Sequence, residues 1–106
     1  MTNFTELVLT CESWQEAQNI ADELLEKKLV ACIEFFDIKS KYRWHGKIEE
    51  TKEVKLIMQT KTEYFDKIEA TVKKLHSYDT PNLHAIPITW ATKEIEAWLE
   101  KETDGN

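Results

Sequence analysis

The chain reads as an α+β protein, a ferredoxin-like βαββαβ sandwich with an extended central hairpin and a C-terminal helix. Three observations predict this. Segments of period-2 and period-3.6 hydrophobicity follow one another in the order β-α-β-β-α-β-α. Only two glycines and two prolines occur in 106 residues, so the connections are short. A long strand-like run is folded about His45-Gly46, a dipeptide whose glycine supplies the positive φ of a tight turn. The length fits one domain, residues 1–106.

Phe4 to Thr10, apolar at Leu7, Val8 and Leu9, forms the first strand. Ser13 lies three residues before Glu16, a capping-box pattern that opens a helix. Trp14, Ala17, Ile20, Ala21 and Leu24 share its apolar face, and Lys27-Lys28 suit its C-terminal dipole. Leu29 to Phe36, rich in β-branched and aromatic residues, starts a second strand that continues to Trp44 with a bulge or bend near Asp37 to Ser40. The return strand, Lys47 to Thr60, alternates Val54, Leu56 and Met58 with Glu53, Lys55, Ile57 and Gln59. Thr60 to Glu63 repeats a capping pattern, and Phe65, Ile68, Val72 and Leu75 make the second helix face. His84 to Trp90 reads as a fourth strand, at an edge because Pro87 lacks an amide donor. Thr92 caps a last helix carrying Ile95, Trp98 and Leu99, and the polar tail from Glu102 is expected to fray.

The central arms are about 14 residues each, against about five or six for an ordinary strand. Tyr42 and Trp44 stand near the tip, where a small monomer has nothing to cover them. An oversized hairpin with aromatic tips predicts a contact between subunits.

Charge excludes some functions. With 14 basic and 20 acidic residues the net charge is −6, and Arg43 is the single arginine. No basic stripe is available to neutralise phosphates, so nucleic acid is not an expected partner. No apolar run reaches the length of a membrane span, so no membrane partner is expected either. The N-terminus lacks a basic region followed by an apolar run, and Cys11 and Cys32 form no close-spaced motif, which together predict a cytoplasmic protein with reduced thiols. Gly-rich phosphate loops, a nucleophile elbow and a His-Glu-x-x-His sequence are all missing, and a non-enzymatic role is expected.

Several segments, in this order and spacing, resemble the CutA family of divalent-cation tolerance proteins: Lys28-Leu29-Val30-Ala31-Cys32, Tyr42-Arg43-Trp44-His45-Gly46-Lys47-Ile48-Glu49, Glu53-Val54, His76-Ser77-Tyr78-Asp79-Thr80-Pro81 and Ala85-Ile86-Pro87-Ile88. The likeness runs from about Leu7 to Leu99. It implies a ferredoxin-like subunit in a homotrimer laid out like the PII signal-transduction proteins, a link to copper and other divalent cations, and no catalytic reaction. The chain departs from the family pattern at Thr10-Cys11-Glu12-Ser13, at Phe36 to Lys39, at Gln59, and at Asn82, where an acidic residue often follows the proline.

The expected function is divalent-cation tolerance, copper foremost, through metal ions bound by thiol and imidazole donors. The alternative is a PII-like trimeric sensor that takes a small molecule or partner protein at subunit clefts, with an indirect metal phenotype. Candidate metal ligands are Cys32 and His76, then Cys11. Thiolates suit Cu(I) and Zn, and imidazole suits both. Each has a plainer reading: Cys32 as a small buried residue, His76 as a helix cap. No two of the cysteines and histidines stand at close ligand spacing, so a metal site has to be assembled by the fold or across subunits. Tyr42, Trp44, Tyr78 and Pro81 are candidates to line an inter-subunit cleft or to pack the trimer. No cofactor is required; copper or another divalent cation is the one expected guest.

Overall fold

A computed structural model describes residues 1–105. The elements are β1 (Phe4–Cys11), α1 (Trp14–Glu26), β2 (Cys32–Trp44), β3 (Lys47–Lys61), a 3-10 turn (Thr62–Tyr64), α2 (Phe65–Leu75), β4 (Leu83–Pro87) and α3 (Lys93–Glu102). One four-stranded antiparallel sheet has the order β2-β3-β1-β4, the ferredoxin-like arrangement. β4 is at an edge, as Pro87 requires.

Register assigns the faces, because directly opposed residues share one and successive residues alternate. Leu7, Leu9 and Cys11 oppose Met58, Leu56 and Val54, and these oppose Ile33, Phe35 and Asp37. This is the face packed by Ala17, Ile20 and Leu24 of α1 and by Ile68 and Val72 of α2. The other face carries Val8, Thr10, Ile57, Glu53, Cys32, Phe36, Tyr42 and Trp44 and has no helix among the core cluster to cover it.

Helix ends follow local chemistry. Ser13 Oγ accepts from Glu16 N–H, but the Glu16 carboxylate accepts from Glu12 N–H instead of completing the box on Ser13. The C-terminus of α1 closes with Leu29 N–H on Leu24 O and Lys28 N–H on Leu25 O, a Schellman pair that puts Lys28 at φ 55°. Trp14, expected in the core, sits at its rim. It stacks on Phe35 with ring centroids 5.4 Å apart and donates Nε1–H to Asp37.

Four expectations are corrected. β2 and β3 pair in one unbroken register from Cys32↔Gln59 to Trp44↔Lys47, without a bulge at Asp37 to Ser40. Beyond β1 the arm has little buried on either side, so polar residues there do not interrupt a strand. β2 begins at Cys32 rather than Leu29. The Thr60–Glu63 cap does not form: Thr60 lies inside β3 on the core face and donates to Leu29 O, leaving α2 without a side-chain cap. The described part of the polar tail does not fray, since Thr103 is buried, Tyr64 Oη donates to Thr103 O and Lys67 Nζ to Gly105 O; Asn106 lies outside the described residues.

The arm defines the outline. β1 stops at the row Cys11↔Val54, and seven further β2–β3 rows continue to Trp44↔Lys47. At about 3.3 Å per residue they project roughly 23 Å, in a molecule of 45 × 25 × 22 Å. One face of the arm is ionic, with Glu50 near Lys39 and Lys41 at 3.3 and 3.4 Å. The other presents Tyr42 and Trp44, the latter 48% exposed.

Candidate functional site

Three termini meet at the foot of the arm: the end of β1, the start of α1 and the loop from α2 to β4. Strand alternation turns Cys11 inward, where its side chain is wholly buried. Glu16, in the first turn of α1, accepts from Glu12 N–H at 2.9 Å and from Ser77 N–H at 2.6 Å. His76 caps α2 with its backbone N–H on Val72 O, and its side chain is fully buried. Tyr78 N–H donates to Nδ1 at 3.1 Å, which leaves the ring proton on Nε2, donated to Thr10 O at 2.8 Å. Cys11 Sγ, a Glu16 carboxylate oxygen and a His76 ring nitrogen all lie within 4.8 Å of one another.

The electrostatics of this cluster follow from burial. Desolvation, then the charges of Glu16 and Glu53, push the Cys11 thiol up to about 12. Burial alone pulls Glu16 upward, but the Glu12 and Ser77 hydrogen bonds and nearby His76 outweigh it and hold the carboxyl below its ordinary value. The donor set suits a borderline or soft divalent ion: one sulfur, one nitrogen, one carboxylate oxygen. At tetrahedral angles two bonds of about 2.0–2.3 Å hold their donor atoms about 3.4–3.6 Å apart, so the groups need to close by about 1 Å. A metal on Nε2 also requires the ring proton on Nδ1, at the cost of the Thr10 and Tyr78 hydrogen bonds, each worth about 0.5–1.5 kcal/mol.

Beside this cluster, on the uncovered sheet face, lies a cleft of about 520 Å³ between the arm and the 77–82 loop. Tyr42, Trp44 and Tyr78 line it, with Glu53 at its base. Tyr78 Oη donates to Glu53 Oε2 at 2.6 Å. Burial and this carboxylate push the phenol upward.

Of the sequence candidates, Cys11 and His76 come together. Cys32 does not join them: it lies on the opposite sheet face, five rows along β2, roughly 17 Å away by strand rise. Tyr42, Trp44 and Tyr78 share the cleft, within a single chain. Pro81 stands apart, at a small hollow with Val72 and Leu83. Sequence reasoning missed Glu16 and Glu53. Glu16 carried a usable signal, a capping carboxylate five residues beyond a cysteine at a strand end. Glu53 was masked by the ordinary alternation of β3.

The model of the CutA1 divalent ion tolerance protein family matches residues 6–102. The chain belongs to this family. The divalent-cation tolerance protein CutA of Archaeoglobus fulgidus is 43% identical over 104 residues, 98% of this chain and 100% of that one. The CutA protein of Thermus thermophilus is 36% identical, over 92% of this chain and 95% of that one. Among solved structures, the periplasmic divalent cation tolerance protein CutA from Archaeoglobus fulgidus superposes with a TM-score of 0.93 at 42% identity, covering 95% of this chain and 99% of that one.

That last likeness corrects the expectation of a cytoplasmic protein, since so similar a CutA is described as periplasmic. The physical reason is in the sheet. Cys11 and Cys32 occupy opposite faces too far apart to be bridged, so their being free reports geometry and carries no information about compartment.

Proposed function

We propose that this CutA-family chain serves divalent-cation tolerance by holding the cation itself, without catalysis, in a homotrimer. Cys11, Glu16 and His76 are the ligands, and copper or zinc is the cation that their donor atoms fit. The observation that carries the reading is the convergence of thiol, carboxylate and imidazole within 4.8 Å at the junction of three elements. A bound ion would supply the positive charge that the half-buried Glu16 carboxylate and a Cys11 thiolate lack. The chain's own part is to position the donors, keep them from water and release the Cys11 proton. The trimer reading is supported by the arm, whose exposed Trp44 and Ile48 project beyond anything in the chain that packs against them.

Calorimetric titration with Cu²⁺ and Zn²⁺ tests the site. The expected result is binding below about micromolar, weakened at least tenfold in Cys11→Ser and in His76→Gln and unchanged in Cys32→Ser. Circular dichroism checks that each variant is folded. Affinity unaffected by the first two changes, or lost only with Cys32→Ser, overturns the assignment.

A further inference from the structure

Glu53 is a buried carboxylate, 6% exposed, whose one hydrogen-bond donor among the described residues is the Tyr78 hydroxyl. Among the described residues no Lys, Arg or His nitrogen pairs with it: Lys55, two residues along on the same sheet face, makes no ion pair. A buried charge without a counter-charge is costly, and such groups are ordinarily paired. Glu53 lies at the base of the cleft whose walls are the rings of Tyr42, Trp44 and Tyr78. Register places Tyr42, Trp44 and Glu53 on one sheet face. A second carboxylate, Asp79, stands at the cleft, and no basic side chain lines it.

We propose that this cleft binds a small organic cation, an amine or quaternary ammonium on a compact apolar skeleton. Ring faces carry negative potential and attract such a cation, most strongly where water is excluded. Glu53 then supplies the full charge that the ring faces lack, and the ligand supplies the one Glu53 lacks. An anion would meet two carboxylates. A hard metal ion wants six or more oxygens, which aromatic walls do not offer. The volume of about 520 Å³ lies within the range of small-molecule sites. The cleft lies on the opposite sheet face from the Cys11 cluster and shares no side chain with it, although Tyr78 joins the two through its N–H on His76 Nδ1.

The test titrates the full chain, in its own assembly, with choline, n-butylammonium and acetate, and with 3,3-dimethylbutan-1-ol, in which carbon replaces the charged nitrogen of choline. At least one cation is expected to bind ten times more tightly than the neutral alcohol, and acetate not at all. Glu53→Gln is expected to cost at least tenfold in that affinity and Trp44→Leu at least fivefold, each in a variant whose mass by light scattering equals that of the unsubstituted chain. Because Glu53→Gln leaves Tyr78 a neutral and weaker acceptor, Tyr42→Leu on the exposed arm is read in parallel. Equal binding of cations and alcohol, binding of acetate, or no cation binding at millimolar concentration overturns the proposal. So does cation binding that survives both Trp44→Leu and Tyr42→Leu. Failure of both cations to bind, together with a changed oligomeric state in Glu53→Gln, would assign the cleft to a cationic side chain of a second copy instead.

Discussion

His76 ties two regions with one ring: Nε2 holds the end of β1 through Thr10, and Nδ1 holds the Tyr78 turn that forms one wall of the cleft. Its partners set the titration of the corner. Cys11 is protonated in the folded protein up to about 12, whereas its ordinary value is 9.0. Between those values the folded state holds a proton that the unfolded state has released, so stability is expected to fall as pH rises from about 9. Urea unfolding at a series of alkaline pH values should show this, with a smaller fall in Cys11→Ala. Some slope persists there, because burial and Glu34 also raise Cys32. Glu16 acts in the opposite direction. Its folded value lies below 4.5, so its contribution is present above about pH 4.5 and lost as pH drops through the lowered value. Glu16→Gln should flatten the acid limb of the same unfolding series. Sequence pointed to Cys11 and His76 individually but ranked Cys32 above Cys11. Only pairing register reveals that the two thiols face opposite ways, and register is a property of neighbouring strands.

At the scale of elements, the turns show where local chemistry was legible. His45-Gly46 forms the two-residue hairpin turn with φ 50° and 77°, both in the left-handed region that the glycine signalled. Lys28 is the less obvious case. A side chain in the left-handed region costs about 1–2 kcal/mol, and glycine avoids most of that. Lys28→Gly is therefore expected to stabilise the fold by about 0.5–1 kcal/mol, read as a higher urea midpoint at unchanged slope. Gly46→Ala should do the reverse. The alternation of Val54, Leu56 and Met58 located β3 and the core face, because the helices pack on that side of the strand alone. The arm half obeys no such rule, and a polar stretch at Asp37 to Ser40 passed for a bulge. Thr60 and the tail were misread because their partners are distant in sequence: the Thr60 hydroxyl donates to Leu29 O, and Tyr64 and Lys67 hold the carbonyls of Thr103 and Gly105, none of which local patterns contain.

For the whole molecule the arm is the decisive feature. Its aromatic face carries Tyr42 and Trp44 into solvent at the end of a 45 Å molecule, a surface that single domains ordinarily cover by association. Light scattering at micromolar concentration is expected to report three chain masses. Trp44→Glu combined with Ile48→Glu, both at exposed positions, should lower that mass without abolishing the circular-dichroism spectrum. A wild-type monomer would refute the trimer. The sandwich itself was legible in the order of its elements. The meeting of Cys11, Glu16 and His76 was not, because three ends of three elements converge only once the sheet is assembled. The central claim is that this convergence is where the cation sits. A crystal soaked with copper, measured at the copper absorption edge, tests it most directly. The account predicts an anomalous peak about 2.0–2.3 Å from Cys11 Sγ and a His76 ring nitrogen. A peak at Cys32 or elsewhere, with none at Cys11, would contradict it.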